Sequence, residues 1–393
     1  CFSSSSSLNI ATIRASKKRL QTLAYRKYLP FSLGGFMEFT TLGVLLSEEK
    51  RAKGRRGRRR DRRRSDDEKP SKQRGRNMDS ESIKRALGRF NAEPPPMGFP
   101  REIDPPPRKI DVKWKLNTVS RDVQNKTGEI VSRRGEFGFL PQERVDEIAS
   151  ELEGLPISLE QALSLRNALN QEKSVYSHHK LMRRSNELSR RYNSGEDVIS
   201  LSKRFDAPPV NTFRAIRTGR GWSKNRIKES LKQPSRMKPR DREQFELAES
   251  MDRVSSVNQD ETHKASMVFE DVLYLFFDSI GVRYRTQEQL MAEQKKAEGR
   301  AVITPDLLMI DDVRINGVPC AWIDAKHFFG ADLKFPRKKT QKQVDRYVAE
   351  YGHGAIVYRH GFCSGLKIDG AEQLDASPLD LTLLDKFHEE SKS

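Results

Sequence analysis

The sequence predicts an α/β C-terminal domain preceded by an all-α region and a disordered, basic N-terminus. Two apolar runs, Leu307-Leu308-Met309-Ile310 and Pro319-Cys320-Ala321-Trp322-Ile323, have the length and composition of buried strands. Helical patterns at residues 265–280 and 337–351 flank them, with a short strand near 282–284 and another at 355–359. The resulting order is α-β-β-β-α-β around a mixed sheet. Upstream, apolar residues recur only at helical spacing, and before residue 108 no period is visible.

At 393 residues the chain has room for two or three domains. Its formal charge is +18, unevenly spread: residues 1–107 hold 25 Lys/Arg against 12 Asp/Glu, and the rest 48 against 43. That imbalance suits a polyanionic partner, nucleic acid ahead of an anionic membrane. Residues 1–107 are Ser-, Arg- and Pro-rich, too polar to bury a core, and are expected to be disordered. The chain opens on Cys1, which makes Met37 and Met78 candidate starts. The run from Arg55 to Arg64 reads as a nuclear-localisation or nucleic-acid patch, whereas the Ser-rich, nearly acid-free first forty residues resemble an organelle transit peptide. Nucleus and cytoplasm are the expected residence, an organelle the alternative. Three cysteines cannot make a disulfide framework, and no apolar stretch of about twenty residues is present to span a membrane.

Residues 108–194 read as mostly helical, with short strands such as Ile110-Asp111-Val112-Lys113-Trp114 at the start. The helical pattern from 141 breaks near Gly154-Leu155-Pro156, and Ser158 is placed to cap the next helix. Residues 195–240 hold three short helices. The first ends at Phe205, Asp206-Ala207-Pro208 makes a turn, Pro209 opens the second, and the third follows Ser223. Helix, tight turn, helix resembles a helix-turn-helix, with Arg214 and Arg217 as nucleic-acid contacts; an ordinary hairpin with solvated arginines is the competing explanation.

Residues 241–393 carry the chemistry. Asp306 and Asp324 lie in or beside buried strands, where an unpaired charge is costly. Lys326 follows Asp324 at the alternate position, on the same strand face. Glu270 sits in a helix apolar nearly all round, Met267 to Phe277. Three hard carboxylates and an amine fit Mg²⁺ or Mn²⁺ and attack of water on a phosphodiester, with Glu270, Asp306 and Asp324 as metal ligands. Gln343 and Tyr347 are four apart on one helix face, and with Lys338 and Lys339 they are candidate nucleic-acid contacts or supports for Lys326. His327 is a structural histidine or a proton relay. One feature resists: Asn316-Gly317 is a strong hairpin signal, and regular pairing across it sets Asp306 opposite His327, on the face away from Asp324. The site therefore requires an irregularity, for which Pro319 is the best candidate.

Glu270, Thr304-Pro305-Asp306, Asp324-Ala325-Lys326 and Gln343-x-x-x-Tyr347, in that order, resemble the PD-(D/E)xK restriction-endonuclease-like superfamily. The Thr-Pro-Asp variant, the block Trp322 to Gly330 and the segment Tyr351 to Tyr358 look like the codanin-interacting nuclease family, over roughly residues 195–370. The resemblance implies a restriction-endonuclease-like fold and metal-dependent cleavage of nucleic acid, DNA ahead of RNA, with Lys326 supporting the attacking water. It also implies a codanin-like partner and nuclear or cytoplasmic residence. The alternative is a catalytically silent adaptor of the same fold that docks a chromatin partner.

Overall fold

The computed structural model describes residues 71–252 and 259–392, so the expectations for residues 1–70 lie outside the described residues. Gly75–Ser393 forms one compact unit. Its first part runs through helix α1 (Ser71–Gly88), strand β1 (Lys109–Val112), and helices α2 (Arg121–Val131), α3 (Gln142–Glu151) and α4 (Leu159–Arg183). Helices α5 (Ser185–Asn193), α6 (Val198–Phe205), α7 (Pro209–Gly219), α8 (Lys224–Lys232) and α9 (Pro239–Ser250) follow. Then come α10 (Gln259–Ser279), β2 (Tyr284–Thr286), α11 (Gln287–Glu298), β3 (Leu307–Met309), β4 (Asp312–Ile315) and β5 (Val318–Pro319). The chain closes with β6 (Trp322–Lys326), α12 (Lys334–Tyr351), β7 (Gly354–Tyr358), β8 (Ala371–Asp375) and α13 (Thr382–Lys392).

Two mixed sheets result, which bears out an α/β domain. The larger has the order β2-β3-β6-β7-β8, antiparallel across β2-β3-β6 and parallel across β6-β7-β8. Strand alternation divides its core in two. Leu307, Met309, Ile323, Ala355 and Val357 face Phe269, Leu273 and Phe277 of α10 and Leu384 of α13. Leu308, Trp322, Ile356 and Tyr358 face Val344, Tyr347 and Tyr351 of α12 and Leu290 of α11. Helices therefore cover both faces.

The smaller sheet, β1-β4-β5, explains how the register problem is solved. Asn316 and Gly317, both at positive φ (51° and 86°), close the hairpin, with Ile315 paired to Val318 and Arg314 to Pro319. Extended further, that register would bring Asp306 opposite His327. Instead β3 pairs with β6 as Leu307 to Ile323 and Leu308 to Trp322, three residues earlier, so one further step sets Asp306 opposite Asp324. An odd slip exchanges the two faces of a strand. The break falls at Ile310-Asp311 on one side and at Cys320-Ala321, just past Pro319, on the other, where Ala321 N–H turns to His353 O (2.7 Å).

Asp311 holds that break. Its side chain is fully buried and accepts hydrogen bonds from Arg283 N (3.0 Å), Arg283 Nη2 (2.7 Å), Arg108 N (3.0 Å) and Arg108 Nη2 (2.8 Å). Burial alone would raise this carboxyl, but the arginine and backbone hydrogen bonds outweigh it and hold it well below the usual carboxylate range.

The expectation that all of residues 1–107 are disordered is corrected for 71–107. Ala86 and Phe99 are buried in the α12-side core, and Arg89, 2 % exposed, donates to Asp311 O (2.8 Å). Gly352 makes this possible: at φ +85° it lies so close to α1 that a Cβ there would meet Ala86 N at 2.2 Å. The segment is polar on average, yet it folds because its few apolar residues add to a core formed elsewhere. Likewise β1, assigned by sequence to the helical region, pairs in parallel with β4, Lys109 to Asp312 through Val112 to Ile315. Helix α11 and strand β8 were not expected at all.

The helical region follows the sequence closely at its caps. Ser158 and Gln161 form a capping box, Asp197 accepts from Ile199 and Ser200 N–H, and Ser223 accepts from Arg226 N–H. Asp206 takes φ 51° at the turn between α6 and α7. Helix α7, however, is central to this layer: Val210, Thr212, Phe213, Ala215, Ile216 and Arg217 are all buried. Arg217 is sealed against Asp241 (2.9 Å), which also accepts from Arg220 (3.1 Å) and Tyr192 (3.0 Å). The burial of Arg217 against Asp241 corrects the expectation that it contacts nucleic acid. Arg214 remains exposed.

Because the folded pKa of Asp311 is depressed, its contribution is present above the unfolded value of about 4 and is lost as pH falls toward the folded one. Asp311→Asn is expected to destabilise the chain by about 3 kcal/mol at neutral pH, with the gap to wild type closing below about pH 4. Thermal melts of both chains between pH 7 and pH 3 measure it.

Candidate active site

The site forms at the ends of β3 and β6, where the slipped register aligns two acids. Asp306, 5 % exposed, accepts the Ala325 N–H at Oδ2 (2.6 Å) and the Gln287 side chain at Oδ1 (3.1 Å). Asp324, 3 % exposed, accepts Gln343 Nε2 (3.2 Å) and Tyr347 OH (3.3 Å) at Oδ1, and its Oδ2 is ion-paired to Lys326. Ala325 points to the other sheet face against the α10 core, as strand alternation requires, so its small side chain admits the helix that carries Glu270.

The electrostatics bind these groups together. Burial, then repulsion from Asp324, raises the Asp306 carboxyl. Burial, then Asp306 and Asp324, raises Glu270 to about 9. Burial alone would lower the Lys326 ammonium, but Asp324 and Asp306 outweigh it and hold it up. Four groups distant in sequence thus sense one another across a buried space, a pattern common at functional sites.

The donor chemistry fits a hard divalent cation, which would relieve the repulsion that raises Asp306 and Glu270. Among the described residues no three His, Cys, Asp or Glu side chains are arrayed as a ready ligand cluster.

Gln343 and Tyr347 are brought to the site, but toward Asp324 rather than outward. Tyr347 is 6 % exposed, also lies 3.4 Å from Thr304 O and receives Gln343 Nε2 (3.0 Å), so both orient the acid. Lys338 and Lys339 are exposed on α12. Lys339 lies near enough to Lys326 to sense its charge, which places it beside the site. Arg214 belongs to the helical region and makes no contact with the acids. His327 is held down to about 4 by burial, then by His360, Arg359 and His388, and its ring edges onto Phe269 at 6.1 Å. It is a neutral packing residue, its ring set among Phe269, His360 and His388. Sequence reasoning missed Gln287. Its signal was Thr286-x-x-Gln289, a capping box that starts α11 and puts Gln287 at the first helical position, on Asp306.

Removing one charge from this set should relax it. Glu270→Gln is expected to stabilise the metal-free chain at pH 8 by about 1 kcal/mol while weakening Mn²⁺ binding, a trade of function for stability. Melting in chelator and calorimetric titration with Mn²⁺ read the two effects.

Comparison with known proteins adds a family name but no activity. Residues 237–375, which contain Thr304-Pro305-Asp306, match the family model described as "Protein of unknown function TPD sequence-motif". The chain is also similar to "Uncharacterized protein L539" of Acanthamoeba polyphaga mimivirus, 29% identical over 118 residues. That match covers 29% of this chain and 41% of the viral protein, so the chain spans less than half the length of this relative. No solved structure matches. Over residues 237–375 the chain is similar to that TPD sequence-motif family.

Proposed function

We propose that the chain is a Mg²⁺- or Mn²⁺-dependent nuclease with a restriction-endonuclease-like C-terminal domain. The observation that carries this reading is the alignment of Asp306 with Asp324 across β3 and β6, with Lys326 one alternate position beyond. Asp306 and Asp324 would hold the cation, with Glu270 as a third carboxylate from α10. When bound, such a cation acts as a Lewis acid and lowers the pKa of water. The protein's own part is orientation. Ala325 N–H and Gln287 fix Asp306, while Gln343 and Tyr347 fix Asp324. Lys326 has its charge secured by two acids, and its ammonium can support the attacking water and offset charge developing on the phosphate. The basic residues Lys338 and Lys339 supply backbone attraction. DNA is the preferred substrate over RNA, and a codanin-like protein is the proposed partner, with nuclear and cytoplasmic residence.

One observation favours a silent adaptor: Lys326 already pairs with Asp324, and both Asp306 oxygens are hydrogen-bonded, so the cluster is satisfied without a ligand. Cleavage separates the two readings. With purified full chain, labelled DNA and RNA, and Mg²⁺ or Mn²⁺, Asp306→Ala and Lys326→Ala are each expected to slow hydrolysis by about 100-fold or more while circular dichroism shows both variants folded at the assay temperature. A wild-type chain that cuts no nucleic acid with either metal would overturn the nuclease and leave the adaptor.

A further inference from the structure

We infer that Phe328 is a stacking platform for an unpaired base, so that the site receives a single or frayed strand rather than an intact duplex. This rests on the nuclease reading above and names its substrate class. Phe328 is 40 % exposed, although a phenylalanine beside a buried core ordinarily packs into it. It lies two residues beyond Lys326, in the bend that follows β6. One edge of its ring meets buried Tyr358 at 5.9 Å and 62°, while Tyr358 itself pairs with Lys326 across β6-β7.

The backbone on either side is pinned. Lys326 O accepts Arg359 N–H (2.8 Å), Phe329 N–H donates to Ser164 Oγ (2.8 Å), and Gly330 N–H donates to Gly361 O (2.9 Å). The exposed ring is therefore a rigid feature with little conformational entropy left to lose on binding. Along α12, Tyr347, Gln343 and Lys339 recur every four residues, about 6 Å per step, from Asp324 outward to Lys339. A phosphate at Lys326 would thus have both an amine, Lys339, and an aromatic ring, Phe328, close by. Amines tracking the backbone and aromatic rings under the bases are the components of single-strand recognition. A duplex hides its base faces by stacking and cannot use the ring.

The test uses the full chain in Ca²⁺, so that binding is read without turnover, with oligonucleotides carrying 2-aminopurine. Wild type is expected to quench 2-aminopurine in a single strand. Phe328→Ala and Phe328→Leu should each weaken single-strand affinity by roughly 5- to 100-fold and relieve the quench. Phe328→Trp should retain both, and affinity for closed duplex should shift less than about twofold in all three. Leucine keeps the apolar bulk, so loss in that variant is not a loss of folding. Equal single-strand affinity and quench in all variants would overturn the inference. So would variants that bind nucleic acid normally but fail to capture a protein partner. Phe328-dependent stacking by a chain that never cleaves would sink the nuclease reading alone, and cleavage without such stacking would sink this inference alone.

Discussion

The site depends on one buried ion pair that is not part of it. Asp311 gathers Arg108 from the lead into β1 and Arg283 from the lead into β2, and so fixes the bend at which β3 becomes β4. Without that bend the Asn316-Gly317 hairpin would extend in register, and Asp306 would emerge on the opposite face from Asp324. Desolvating a carboxylate completely is costly, and here five hydrogen bonds to two arginines offset it. The cluster therefore contributes stability once formed and, by fixing the bend, the register that follows from it.

Around the aligned acids the protein concentrates like charge and then restrains it. Asp306 and Glu270 are pushed toward their neutral forms, Lys326 is kept charged, and four groups hold the two aspartates in fixed orientations. Stability is not the purpose of such an arrangement, since an apolar cluster of the same volume would pack better. The electrostatic tension centres on these two strands and reaches the core tyrosines around them: burial first, and then the nearby acids, raise the hydroxyls of Tyr274, Tyr347 and Tyr358.

Much of this was legible in the sequence because it was locally encoded. Helix starts at Ser158 and Ser223, the turn at Asp206 and the hairpin at Asn316-Gly317 all rest on short-range hydrogen bonding or positive φ. The acids and Lys326 were visible as charges set into apolar runs. What could not be read was non-local. The partner of Asp311 lies some two hundred residues upstream at Arg108, and no local pattern announces that pairing. The burial of Arg217 is of the same kind, because its helix looks amphipathic until α5, α6 and α9 close around it. Residues 71–107 were misread because composition averages over a segment, whereas folding needed only a few apolar side chains landing on an existing core.

The parallel pairing of β1 with β4 has a consequence for the order in which the chain can mature. A strand made early has no hydrogen-bonding neighbour until residue 312 and its surroundings have been synthesised. At roughly 5–20 residues per second, two hundred residues take on the order of 10–40 s, a long wait for an unpaired edge. Trp114, destined for the α10 core, stays uncovered through the same interval. The nascent protein is thus most vulnerable to aggregation midway through translation, when its N-terminal strand exists and its template does not.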